Sequence, residues 1–335
     1  MRKLFKIISI ISIMIVSALL ALSLMAFQNS GSLRNLNLIN RWDLENISAP
    51  TPAKPGTSTT TSAGEFASEV EYIFMDAKGT GDYETLEEAI TNAGDGSTII
   101  LDSGTYDLAE FLEINKSINL IGTGPDKTII TGEKGDSVIY FNSEGRFFAE
   151  GIAFLREGKV PGDIIGIEKG NASFNNCLFS GGKPDPDEEN WGAGLYYYNM
   201  ATGTVSNCVS ESNSFCGIAI EEDASVTLIS NIFRKNASSG ISYYGSSGGF
   251  AIKNECYSNG VDGIQVQFNS TPTLIGNKCH DNKDCGISYY EKSGGLAFKN
   301  ECVKNLIGIY ISETALPALE ENTVKNNSEE NVWQE

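Results

Sequence analysis

The sequence predicts an all-β fold, a parallel β-solenoid in which about 23 residues make one coil, and three observations carry that prediction. Gly194, Gly217, Gly240, Gly263 and Gly286 recur every 23 residues, and Gly308 follows after 22. Each glycine heads the same short alternation: Leu195-Tyr196-Tyr197, Ile218-Ala219-Ile220, Ile241-Ser242-Tyr243, Ile264-Gln265-Val266, Ile287-Ser288-Tyr289 and Ile309-Tyr310-Ile311. Asparagine keeps the same period in two columns, Asn213, Asn236, Asn259, Asn282, Asn305 and Asn231, Asn254, Asn277, Asn300. A fixed period with β alternation and a recurring turn residue marks a chain in which each coil is one structural unit. One coil of short strands cannot bury its own apolar side, whereas coils stacked at about 4.8 Å bury it against each other. Residues one and three after each glycine are therefore expected to point inward, and residues two and four outward. The asparagines are expected to take left-handed turn conformations and to bond from coil to coil.

Taken in order, the chain opens with basic Met1-Arg2-Lys3-Leu4-Phe5-Lys6, followed by a segment from Ile7 to Phe27 that is apolar apart from four serines. This reads as an export signal or an uncleaved membrane anchor over residues 1–27, and both place the rest outside the cytoplasm. Residues 28–70 carry Pro50, Pro52, Pro55 and the run Thr57 to Ser62, the composition of a flexible spacer. A folded domain is expected over 71–335. It begins with a strand at Tyr72 to Met75, a turn at Gly79 to Tyr83 and helical spacing from Thr85 to Ala93, where a short helix would close the open end of the solenoid. Strand and turn text then runs through Gly96 to Leu101, Gly104 to Tyr106, Ile114 to Gly122 and Thr128 to Gly132.

The formal net charge of −19 argues against nucleic acid and acidic lipid surfaces as partners, because both need basic patches. Among the seven cysteines, Cys256, Cys279 and Cys302 share a column with Phe233 and read as small inward hydrophobes. Cys177 and Cys208 are expected on adjacent coils, Cys216 and Cys285 share another column, and no Cys-x-x-Cys metal pattern occurs.

The repeats resemble those of the pectate-lyase-like superfamily, which implies a single-stranded right-handed parallel β-helix. The opening text, with Gly145-Arg146-Phe147-Phe148-Ala149-Glu150-Gly151-Ile152-Ala153-Phe154 and Asn175-Asn176-Cys177-Leu178-Phe179-Ser180-Gly181, is similar to that of pectin methylesterases and related non-catalytic β-helix proteins. Where those esterases have Gln-Ala-Val-Ala-Leu this chain has Asp163-Ile164-Ile165-Gly166-Ile167, and where they have Gln-Asp-Thr it has Gly182-Lys183-Pro184. Their Asp-Phe-Ile-Phe-Gly motif has no match, nor do the Asn-Thr-Asp, Gly-His-Gly and Arg-Ile-Lys motifs of polygalacturonases. The single histidine, His280, reads as a solvated turn residue. The resemblance thus implies the fold without those two activities.

Two features rise above scaffold. The insertion from Gly181 to Gly192 displays Asp185, Asp187, Glu188, Glu189 and Trp191. Trp191 is a candidate ligand contact, and Asp185, Asp187 and Glu188 are calcium candidates without a calcium-loop spacing. The second feature is a duplication: Gly240-Ile241-Ser242-Tyr243-Tyr244 returns at Gly286-Ile287-Ser288-Tyr289-Tyr290, a unit of 46 residues. The outer column then reads Tyr198, Glu221, Tyr244, Gln267, Tyr290, with tyrosines roughly 9.6 Å apart, close to the repeat of two sugars in an extended polysaccharide. The expected function is non-catalytic binding of a polysaccharide or cell-surface glycan through Tyr198, Tyr244, Gln267 and Tyr290. The alternative is a polysaccharide lyase or hydrolase using Glu221, Glu222 and Asp223. No cofactor is required, calcium being left open, and the oligomeric state is not legible.

Overall fold

The computed structural model describes residues 70–185 and 192–335, and Val70–Glu335 forms one compact unit. The expected leader and most of the spacer lie outside the described residues, as do Asp187, Glu188, Glu189 and Trp191. No helix among the described residues is long and apolar enough to cross a membrane.

Three parallel ladders run along the solenoid, each coil contributing a short strand to each. The first contains Leu195–Tyr197, Ile218–Ile220, Ile241–Tyr243 and Ile264–Val266, paired residue for residue at the repeat spacing. The second contains Thr202–Ser206, Ser225–Ile229 and Gly248–Ile252, and the third Val209–Glu211, Ile232–Arg234 and Glu255–Tyr257. Two long strands, Ser137–Glu150 and Asp163–Asn175, turn the corner from the first ladder to the second, so these merge into one 19-stranded sheet beside the 10-stranded third. The core lies inside the coil. Leu195, Tyr197, Ile218, Ile220, Ile241, Tyr243, Ile264, Val266, Ile287 and Tyr289 are all 0% exposed, so positions one and three point inward as the alternation requires. The helix α1 (Leu86–Asn92) is capped by Thr85, whose hydroxyl accepts the Glu88 N–H, and buries Leu86, Ala89 and Ile90 near the first coils.

Close approach explains the repeating glycine. A Cβ on Gly263 would sit 2.6 Å from the Gly286 carbonyl, 2.8 Å from Cys279 Cβ and 3.0 Å from Asn282 Nδ2, and Gly217, Gly240 and Gly286 meet the equivalent groups. Glycine, inward cysteine and asparagine are thus one packing unit. Gly263→Ala should lower stability by about 2 kcal/mol, the usual cost of overpacking, read as a lower urea midpoint with unchanged slope.

The asparagine columns are buried hydrogen-bond ladders. In one, the Asn254 N–H and Nδ2 both donate to Asn277 Oδ1, while Asn277 Nδ2 donates to Ala251 O and to Asn300 Oδ1. The other runs through Asn213, Asn236, Asn259, Asn282 and Asn305 to Asn327 in the same way. The expected coil-to-coil bonding is present, but the expected left-handed backbone is not at these residues. It falls one residue earlier, on Ser212, Lys235, Ser258, Asp281 and Lys304, with φ between 54° and 59°. That preceding residue turns the corner, which swings the asparagine side chain into the core, where only an amide satisfies both neighbouring coils.

Cys256, Cys279 and Cys302 stack inward at 0% exposure, and Cys177 and Cys208 lie on adjacent coils, with the Cys177 N–H 3.4 Å from Cys208 Sγ. All seven cysteines are free thiols. His280 corrects the sequence reading. It ends the strand Lys278–His280 instead of lying in a solvated turn, and its ring stacks on Tyr257 with centroids 5.0 Å apart. Its Nε2 meets Glu255 at 3.0 Å and its Nδ1 meets Asp281 at 2.6 Å, while Arg234, two coils back, bridges the Tyr257 hydroxyl and Glu211 on the coils either side of it. Strand register put these side chains in one column, where they satisfy each other.

Candidate functional site

The site grows from the outer side of the first ladder. Strand register aligns Ile167 with Tyr197 and Tyr197 with Ile220, so the next residues form the column Glu168, Tyr198, Glu221, Tyr244, Gln267, Tyr290. The predicted column is therefore real and extends one coil further back, to Glu168. Its backbone continues the ladder beyond the strands: the N–H of Tyr198, Glu221, Tyr244, Gln267 and Tyr290 each donates to a carbonyl of the preceding coil. Tyr198, Tyr244 and Tyr290 are thereby fixed two coils apart, roughly 9.6 Å.

Each of these tyrosines is backed by a second aromatic ring. Tyr198 stacks on Tyr196 at 5.1 Å, Tyr244 meets Phe268 at 4.3 Å, and Tyr290 meets Tyr310 at 5.0 Å, with Trp333 beyond at 6.5 Å. Tyr244 and Phe268 are 36% and 39% exposed. Gln267 is half-buried between the second and third tyrosines. The duplication signalled the tyrosines. Phe268 and Tyr310 belong to coils outside the duplicated motif and were missed.

At the Tyr198 end the hydroxyls form a relay. Tyr196 donates to Glu221 at 2.8 Å, and Tyr140 donates to Glu168. Tyr140 and Tyr198 hydroxyls lie 3.0 Å apart, and because Tyr140 has spent its one proton on Glu168, Tyr198 is the donor. Gly166 makes this reach feasible, since a Cβ there would meet the Tyr140 ring at 3.2 Å. Burial raises the Glu221 carboxyl above its ordinary value, partly offset by the Tyr196 hydrogen bond, and the adjacent Glu222 raises it further. Tyr140 and Glu168 come from the irregular early coils, where no constant spacing aligns residues.

The three carboxylates proposed from sequence for catalysis do different things. Glu221 takes the Tyr196 hydroxyl, Glu222 accepts the Asn199 N–H at 2.8 Å, and Asp223 is exposed on the turn with its own N–H donated to Asn199 O. Of the calcium candidates only Asp185 is described, and it is half-buried.

Two buried aspartates lie at the foot of the same face. Asp163 Oδ1 accepts the N–H groups of Gly192 and Ala193 and so pins the end of the insertion; Asp262 accepts the Cys285 N–H and the Ser288 hydroxyl. Asp262, Asp284 and Cys285 also bring carboxylate and thiol atoms within 4.8 Å of each other. Burial pushes Asp163 up to about 7 and Asp262 up to about 6. The folded protein therefore holds protons that the unfolded chain releases near pH 4, so stability falls as pH rises from about 4 to about 7. Asp163→Asn keeps the Oδ1 acceptor and should flatten part of that fall, which thermal melts at pH 4 to pH 8 would show.

Residues 217–333 match the family model described as a right handed beta helix region. The chain is a right-handed parallel β-helix. Similar solved structures include the pectate lyase Pel9A, at 14% identity over 77% of this chain and 79% of that one, with a TM-score of 0.55. The A-module of the Azotobacter vinelandii mannuronan C-5 epimerase AlgE4 matches at 16% identity over 72% of each chain, with a TM-score of 0.52. The Dettilon tailspike protein matches at 14% identity over 72% of this chain and 53% of its own length, with a TM-score of 0.56. No curated protein matches in sequence. At these identities the likeness is one of fold, and what the β-helix binds must be argued from its own outer column.

Proposed function

We propose that this is an extracytoplasmic β-helix that binds an extended polysaccharide along the outer column of its first ladder without cleaving it. The observation that carries the reading is the interval of Tyr198, Tyr244 and Tyr290, each fixed by backbone hydrogen bonds and each backed by another ring. Rings held by a stacked sheet lose little freedom on binding, so a sugar face that meets them gains most of the contact energy. Glu168, Glu221 and Gln267 lie between and beside the rings, where they accept from hydroxyls. Similar folds carry proteins named for pectate and mannuronan, which supports a polysaccharide partner. The extracytoplasmic location rests on the leader-like text of residues 1–27.

The test is retention of the purified domain on immobilised plant, microbial and host polysaccharides, with reducing and unsaturated ends measured in the same samples. Retention without new ends is the expected result. New ends that disappear in Glu221→Gln would replace this reading with the lyase or hydrolase.

A further inference from the structure

Around the Tyr198 end of the column, every mapped phenol proton is committed. Tyr196 gives its proton to Glu221, Tyr198 to Tyr140 and Tyr140 to Glu168. What remains to meet a ligand there is oxygen lone pairs. A neutral sugar hydroxyl both donates and accepts, so it uses such a surface only in part; a group that only donates uses it fully.

The charge points the same way. Apart from neighbouring tyrosines, the titratable groups that act on Tyr140, Tyr196, Tyr198 and Glu221 are Glu168, Glu221, Glu222 and Asp163, all acidic side chains. Glu221 is half-buried and carries a carboxyl raised by burial, and its mapped hydrogen-bond partner is a phenol. Arg156, the cation that acts on Asp163, is turned inward at 3% exposure and spends its guanidinium on the carbonyls of Gly135, Val160, Pro161 and Asp163, and Lys169, next to Glu168 in the chain, pairs with Glu144 at 3.6 Å. Among the described residues, neither Glu168 nor Glu221 forms an ion pair with a cation, the partner that half-buried carboxylates usually have.

The spacing supplies the last element. Glu168 and Glu221 occupy the same column with Tyr198 between them, so they stand two coils, roughly 9.6 Å, apart. That is the interval of the tyrosines. A chain whose sugars stack on the rings at that repeat brings chemically equivalent substituents to both carboxylates.

We infer that the ligand is a polysaccharide bearing free amino groups, with ammonium groups on alternate sugars paired to Glu168 and Glu221. This rests on the polysaccharide reading above and narrows it from glycans in general to cationic amino-sugar polymers. Anionic uronate chains are disfavoured by the same carboxylates.

Titration calorimetry at pH 6 with four hexamers tests it: glucosamine, N-acetylglucosamine, cellohexaose and galacturonate. The glucosamine hexamer should bind at least about 10-fold more tightly than its N-acetylated counterpart. That preference should shrink between about 0.05 and about 0.5 M salt, as screening of partly exposed charge pairs requires. Glu168→Gln combined with Glu221→Gln should bring the ratio of the two affinities to about 1, with a melting curve confirming the fold. Should the double variant fail to fold, selectivity and salt dependence of the parent protein decide alone. Equal or tighter binding of the N-acetylated or neutral hexamer overturns the amino-sugar inference and leaves polysaccharide binding standing. Preference for galacturonate overturns it as well. Binding of none of the four, with retention on another polysaccharide, overturns the inference only; no retention on any polysaccharide removes both.

Discussion

Asn277→Leu should destabilise the domain by about 4 kcal/mol, because it leaves buried polar groups without partners at two levels of the stack. The Asn254 N–H and Nδ2 lose their shared acceptor, and the Ala251 carbonyl loses a donor, all inside the coil. Each buried orphan costs roughly 1–3 kcal/mol, and leucine restores none of them. Total stabilities of about 5–15 kcal/mol make such a loss a large fraction of what holds the domain together. Asn322→Leu is the matched comparison. Asn322 makes the same bonds, to Asn300 and to Ala297 O, but it is only half-buried and lies near the last coil, where water reaches the abandoned groups. It should cost about 1 kcal/mol. Urea unfolding of both variants measures the difference, and equal small losses would show that the ladder contributes little. In a solenoid each coil contacts only its neighbours, so a central lesion should also broaden the transition by uncoupling the two halves.

Much of this architecture was legible because a solenoid writes its axis into the chain as a period. Glycine, inward cysteine and asparagine recur together since they pack against each other, as the close approaches around Gly263 show. What the period concealed is whatever does not repeat by type. The left-handed corner residue is Ser212, Lys235, Ser258 or Asp281, chemically unlike one another and linked only by backbone angle. Position two after each glycine was expected outward, yet Ala219 and Ser288 are 0% exposed and Ser242 is 5%. These are small side chains, and the Ser288 hydroxyl is taken up by buried Asp262. Alternation fixes which way a side chain leaves the strand, while exposure depends on what leans over it. The candidate site divides along the same line. Tyr198, Glu221, Tyr244 and Tyr290 sit in aligned coils and could be put in one column from spacing alone. Tyr140 and Glu168 come from strands of 14 and 13 residues whose bulged register breaks the count, so their place beside Tyr198 emerges only in three dimensions.

The second large effect concerns the rings. Replacing Tyr198, Tyr244 and Tyr290 together by alanine should weaken binding of any polysaccharide retained by the parent by roughly 10²- to 10³-fold, since truncating a well-supported aromatic anchor typically costs more than about 1 kcal/mol. The three are not equivalent. Tyr244 is the most exposed, at 36%, with Phe268 as its mapped ring neighbour, so Tyr244→Ala should reduce affinity with the least change in stability. Tyr198 also serves the Tyr140–Glu168 relay, and its loss leaves Tyr140 without the hydroxyl that donates to it. Tyr198→Phe separates the two roles: the ring stays on Tyr196 while the relay is cut, so affinity should fall by less than in Tyr198→Ala. Chain length gives an independent check. If the rings act as one platform, oligosaccharides long enough to span two tyrosines, about 9.6 Å, should bind markedly better than shorter ones, and the triple variant should lose that dependence on length. Unchanged affinity in the triple variant, with its fold intact by circular dichroism, would remove the column from the binding site and return the tyrosines to a purely structural role on the ladder.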